Sequence, residues 1–120
     1  MRCIPFILPA FALGFAATMA QAGDAVHGAS LFEDRCAICH VPAGGGQGPS
    51  LRRVVGRKAA SVSKVSYSPA LRASHLVWTA ANLDRFLTDP GKMVPGTAMP
   101  IRLPNPAQRA DLIAYLATLK

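Results

Sequence analysis

Acidic residues are scarce in this sequence. Six Asp and Glu stand against thirteen Lys and Arg in 120 residues, a formal net charge of +7. Aromatic residues make up only 7%, thin for a self-sufficient core, and there are only three cysteines. The length excludes a large two-lobed α/β enzyme and leaves room for one small domain, with or without a targeting segment. No stretch alternates with the period of two that marks a half-buried strand, so a sheet protein is not expected. No internal repeat appears. The apolar content, 51% overall, is unevenly spread.

Much of it sits at the front. Arg2 precedes an apolar run from Ile4 to Ala17, interrupted by Pro5, Pro9 and Gly14, and Ala20-Gln21-Ala22 has a small-x-small pattern. Residues 1–22 therefore read as a cleaved secretory signal peptide. A retained membrane anchor is the competing reading, but a spanning helix needs about 20 apolar residues and few breaks. Cys3 lies ahead of the run, the wrong place for lipid modification, and leaves with the leader. Removing Arg2 and no acidic residue leaves a 98-residue domain, 23–120, with a charge of +6 and two cysteines. In an exported chain two thiols would ordinarily pair. Their spacing points elsewhere.

Cys36-Ala37-Ile38-Cys39-His40 is a C-x-x-C-H motif, the pattern of c-type haem attachment. Two thiols on one turn of chain can reach the two vinyl groups of a haem, and His40 is then tethered beneath the iron as a ligand. A thioredoxin-like C-x-x-C wants a strand before it, whereas here the preceding segment reads as helix and a glycine-rich loop, Val41–Gly48, follows. A zinc site wants a second ligand pair, and His27 and His75 offer no matching spacing. Both read as structural or exposed. A sixth ligand is available in Met99, held in the stiff segment Pro95-Gly96-Thr97-Ala98-Met99-Pro100. Thioether sulfur is soft and favours Fe(II). Met93 is the alternative.

With these residues in this order, the chain resembles the class I cytochromes c of the bacterial c2 and mitochondrial type, over residues 24–120. Gly28 and Phe32 match the glycine and aromatic that precede the haem cysteines in that family. Pro49 matches the proline whose carbonyl bonds the ligand imidazole. Arg57, Tyr67 and Trp78 match groups around the haem propionates. Pro95-Gly96-Thr97-x-Met99 matches the methionine loop, and Asp111-Leu112-Ile113-Ala114-Tyr115-Leu116 the last helix. The resemblance implies an all-α fold of three to four short helices and long loops around one covalent haem c. It implies an electron carrier rather than an enzyme, with His40 and Met99 on the iron. The chain departs from the family in a shorter loop between His40 and Pro49. Phe86 replaces a tyrosine that often bonds the methionine sulfur, and Leu71 replaces an asparagine.

The residue pattern supports the same arrangement independently. Asp24–Cys36 reads as a helix capped by Asp24, with Ala25, Leu31 and Phe32 on one side. Thr79–Thr88 reads as another, with Thr79 as cap, Leu83, Phe86 and Leu87 inward, and Asp89-Pro90-Gly91 as its stop. Gln108–Leu119 is the clearest, with Leu112, Ile113, Tyr115, Leu116 and Leu119 in a stripe and Asn105-Pro106 at its entrance. Residues 59–74, rich in Ser and Ala, read as irregular. Gly28 either lets the first helix approach the last, against Leu112 and Tyr115, or is merely tolerated at about 1 kcal/mol relative to Ala.

The positive charge suits nucleic acid on its face, but export and the lack of interleaved aromatics argue against that partner. Solubility is one use for it. Docking to acidic redox proteins is the sharper one, with Arg35 and Lys92 placed to ring the haem edge and Arg109 as a cation remote from it. The expected molecule is a periplasmic monomer without stable membrane insertion, exchanging electrons with a donor and an acceptor. Two other functions remain open on the residues. One is a small haem enzyme, a peroxidase or nitric-oxide-handling protein with an open distal site. The other is a dedicated electron-accepting subunit of a periplasmic dehydrogenase.

Overall fold

The computed structural model describes residues 22–120. The expected leader, apart from Ala22, lies outside the described residues. Five helices follow in order: α1 Ala25–Arg35, α2 Pro69–Ser74, α3 Ala80–Thr88, α4 Pro90–Met93 and α5 Pro106–Leu116. None is long and apolar enough to cross a membrane. Each begins at a side chain that accepts from an otherwise unpaired first-turn amide. Asp24 accepts from the amides of Val26 and His27 at 2.9 and 3.2 Å. Thr79 accepts from Asn82 at 3.1 Å, and Asn105 accepts from Ala107 at 2.9 Å. Proline at the first position of α2, α4 and α5 pre-sets φ for the turn that follows.

The structure corrects the sequence reading in three places. The stretch read as irregular contains α2, capped by Ser68, whose hydroxyl accepts from the Leu71 amide at 3.1 Å. Asp89-Pro90-Gly91 ends α3 but also starts the one-turn α4, because Asp89 caps it and Pro90 opens it. The last helix begins at Pro106 and ends at Leu116, earlier at both ends than expected, since Asn105 takes the cap.

Helices α1 and α5 cross face to face. The crossing is set by Gly28, where a Cβ would stand 2.0 Å from the Asp111 carbonyl oxygen and 2.9 Å from the Tyr115 Cβ. No side chain fits there, so Gly28 is required and not merely tolerated. One turn on, Phe32 is 2% exposed and packs its ring 5.4 Å from that of Tyr115. Ala25 and Leu31 are only partly buried. The core continues through Leu112 and Leu116 of α5, Leu83, Phe86 and Leu87 of α3, and Val54, Trp78, Val94 and Leu103 of the connecting segments.

Arg109 is not a remote surface cation. It is 8% exposed and joins α5 to α3 through Asp84, with Nε donating to Oδ1 at 2.7 Å. Its Nη1 donates to the carbonyls of Leu103 and Pro104 at 3.0 and 2.7 Å. An isolated antiparallel bridge pairs Lys58 with Val77. Around it Trp78 N donates to Arg57 O at 2.9 Å and Gly56 N donates to Trp78 O at 2.9 Å. Arg57 and Trp78 are thereby held on neighbouring strands of backbone.

Candidate functional site

The helical hydrogen bonding of α1 runs on into the motif. Cys36 N donates to Phe32 O at 2.8 Å, and the amides of Cys39 and His40 both donate to Cys36 O, at 3.1 and 2.9 Å. The two cysteines are thus carried on a single turn. Both are free thiols, half-buried, with no disulfide between them. Burial pushes the Cys36 thiol up, with the neighbouring Cys39 adding to the effect and Arg35 opposing it.

His40 is fixed from two sides. Its Nδ1 lies 2.8 Å from the Pro49 carbonyl oxygen. A carbonyl only accepts, so Nδ1 carries the proton and the lone pair of the neutral ring is left on Nε2. The backbone of Gly48 covers the ring edge: a Cβ there would stand 2.6 Å from His40 Cε1 and 2.7 Å from Nδ1. Gly48 N in turn donates to Cys39 O at 2.9 Å. The glycine-rich loop therefore does two different things. Gly44 and Gly45 turn in open space, while Gly48 is a close approach that sequence reasoning did not separate from them.

Eight residues expected to hold the haem line one cavity of about 220 Å³: Cys36, Cys39, His40, Pro49, Arg57, Tyr67, Trp78 and Met99. The rest of the wall is largely apolar and includes Leu71, Leu83 and Phe86. Phe86 packs on Trp78 with ring centroids 4.9 Å apart. Arg57 is oriented by two carbonyls, donating from Nη1 to Arg52 O at 2.7 Å and from Nη2 to Ser50 O at 3.1 Å. Burial draws its guanidinium below the usual value, with Tyr67 working the other way. An arginine guanidinium is not deprotonated in proteins, so Arg57 keeps its charge. The Tyr67 hydroxyl accepts from Val62 N at 3.1 Å, which leaves its own proton to donate.

Arg35 and Lys58 stand on the cavity wall, and Ile38, between the cysteines, is 87% exposed there. Lys92 is exposed but not on the wall, and Met93, His27 and His75 lie outside it as well. His27 has a structural partner in Asp111, 2.6 Å from its Nδ1. Among the described residues no group of three or more His, Cys, Asp or Glu could hold a metal ion by itself. The donors instead suit a flat, mostly apolar, iron-bearing ring. Thiols stand on one turn to tether it, a single imidazole has its Nε2 free, a thioether lies on the wall, and an arginine and a tyrosine are available for its acidic edge.

Such a fold and site define a protein built around a covalent haem. The comparisons with known proteins agree. A family model described as Cytochrome c matches residues 25–120. Cytochrome c2 of Rhodomicrobium vannielii is 43% identical over 122 aligned positions, covering 98% of this chain and 97% of that one. Cytochrome c2 of Rhodopila globiformis is 44% identical over 104 positions, covering 84% and 98%. Among solved structures, cytochrome cH from Methylobacterium extorquens superposes with a TM-score of 0.76 at 42% identity, covering 80% of this chain and 99% of that one. The chain belongs to the class I cytochrome c family. It is a haem-based electron carrier and not an enzyme, with one haem c attached through its C-x-x-C-H motif.

Proposed function

We propose that this chain is a soluble, monomeric, periplasmic shuttle for single electrons, exported by residues 1–22, with domain 23–120 holding its haem iron between His40 and Met99. The observation that carries the reading is the convergence of Cys36, Cys39, His40 and Met99 on one cavity. When bound, the haem supplies an iron that accepts and returns one electron.

The protein's residues do the rest. Cys36 and Cys39 would tether the group as thioethers, each thiol S–H adding across a vinyl group with nothing released. Pro49 and Gly48 hold the His40 imidazole so that Nε2 alone is free to ligate. Met99, on the cavity wall, would supply a soft thioether ligand, which favours the reduced state and raises the potential. Arg57, Tyr67 and Trp78 would donate to the propionates, because buried carboxylates need partners. The largely apolar wall would keep water from the iron. Ligands held in place by the fold would leave little to rearrange when an electron moves.

The exposed edge beside Ile38 is where a partner approaches, and the surrounding cations favour an acidic one. Electrostatic attraction speeds encounter without tight binding, which suits a shuttle that must also let go.

The test is a redox titration of the purified holoprotein, together with a denaturing gel stained for haem. The reading expects a single one-electron wave and haem that stays with the chain, and loss of covalent haem in the Cys36→Ala, Cys39→Ala double variant. A haem released by denaturation, or turnover of peroxide at enzymatic rates, would overturn it.

A further inference from the structure

The segment that carries Met99 is anchored at two buried points, Val94 and Leu103, each 4% exposed. Val94 N donates to Pro90 O at 2.9 Å, and Leu103 N donates to Leu87 O at 2.7 Å. Between these anchors the backbone has little of its own. Thr97 N donates to Val94 O at 3.0 Å, and Met99 N reaches the Thr97 hydroxyl only at 3.4 Å.

Besides the Arg109 contact at the Leu103 carbonyl, a side-chain ion pair ties this segment back to the helices. Arg102, three residues beyond Met99, donates from Nη2 to Oδ2 of Asp89 at 2.5 Å, closing a loop between residues 13 apart. Asp89 is well placed to hold it. It ends α3 and caps α4, its Oδ1 accepting from Lys92 N at 3.2 Å, so both carboxylate oxygens are used.

We propose that the Asp89–Arg102 ion pair is a positioning contact for Met99, holding its loop closed so that the thioether stays at the haem iron. This rests on the reading of Met99 as a ligand. The side chains of Arg102 and Asp89 are 65% and 27% exposed, and a pair so open to water adds little to the stability of a whole domain. What it opposes here is smaller than unfolding: the opening of one loop. Segments of this kind open at low free energy, so a modest contact is visible locally and nearly silent globally.

The experiment uses ferric holoprotein and imidazole as a competing ligand, titrated by absorption at about 10 mM ionic strength, where surface charges are weakly screened. Asp89→Asn keeps the helix cap and removes the charge. Arg102→Gln removes the cation. Each variant is expected to bind imidazole roughly two- to fivefold more tightly than the parent, the range set by an exposed pair's coupling energy. The double variant should bind no more tightly than either single one, Arg102→Lys should recover part of the effect, and about 1 M salt should shrink it. The denaturation midpoint should barely move.

Variants that titrate like the parent would overturn the proposal. So would single effects that simply add in the double variant, or a loss of global stability matching the change in imidazole affinity. A parent protein without the near-infrared band of methionine–Fe(III) ligation would instead overturn the Met99 reading itself. A parent with that band and unchanged variants would overturn only the ion pair's role.

Discussion

The Nδ1 of His40 stands 2.8 Å from the carbonyl oxygen of Pro49, and Gly48, the residue between loop and proline, closes on the same ring. One backbone segment thus selects the tautomer and fills the space beside it. Gly48→Ala puts a methyl 2.6 Å from the ring, so either the imidazole or the loop must move. The expected cost is about 1–3 kcal/mol, as for other overpacked sites. A denaturant midpoint checks the stability, and a changed visible spectrum of the holoprotein shows that the cost falls on the histidine.

Gly28→Ala sets two effects against each other. Alanine improves helix propensity by about 1 kcal/mol. Its Cβ, however, would meet backbone and not a flexible side chain, 2.0 Å from the Asp111 carbonyl oxygen. The steric term wins, and we expect a net loss of about 2 kcal/mol or more. Chemical denaturation of the holoprotein measures it.

Arg109→Ala is expected to cost about 2–4 kcal/mol. Two carbonyls that Arg109 satisfies, on Leu103 and Pro104, lose their donor. The cost falls short of a fully buried ion pair, about 3–5 kcal/mol, because the Asp84 side chain is 47% exposed and water can solvate it. The same burial disqualifies Arg109 as a control for surface charge. Arg85, exposed on α3 and off the cavity wall, serves instead. Electron transfer to an acidic partner should slow steeply with added salt, and Arg35→Glu should slow it more than Arg85→Glu. Stopped-flow rates at several ionic strengths check both.

The α1–α5 crossing also carries a pH signature. His27 foremost, then the Asp24 amide, hold the Asp111 carboxyl below its usual value. A carboxyl lowered on folding contributes stability above its unfolded pKa of about 4 and loses it as pH falls through the folded value. Asp111→Asn should therefore be less stable than the parent at neutral pH, with the gap closing in strong acid. Thermal midpoints of the two proteins across that range check the sign.

The parts legible in the sequence are those where one residue type has one use. Cys36, Cys39 and His40 announce their chemistry by spacing, and Asp24, Thr79 and Asn105 announce helix starts because few side chains can take that position. The stripe on α5 survives because eleven residues suffice to show a period. What stayed hidden depends on partners distant in the chain. Arg109 looks like any other cation until Asp84, Leu103 and Pro104 are brought around it. Gly48 looks like Gly44 until His40 is placed against it. Helix α2, six residues long, is too short to show a period, and so short a helix relies on its Ser68-Pro69 start and its packing.

Whether the iron is held between His40 and Met99, with no open site, is decided by the absorption spectrum of the purified holoprotein and of Met99→Ala. The ferric parent should show the near-infrared band of methionine–iron ligation and its ferrous form should take up little carbon monoxide, while Met99→Ala should lose the band and bind carbon monoxide readily. A parent that lacks the band and binds carbon monoxide as readily as the variant would contradict it.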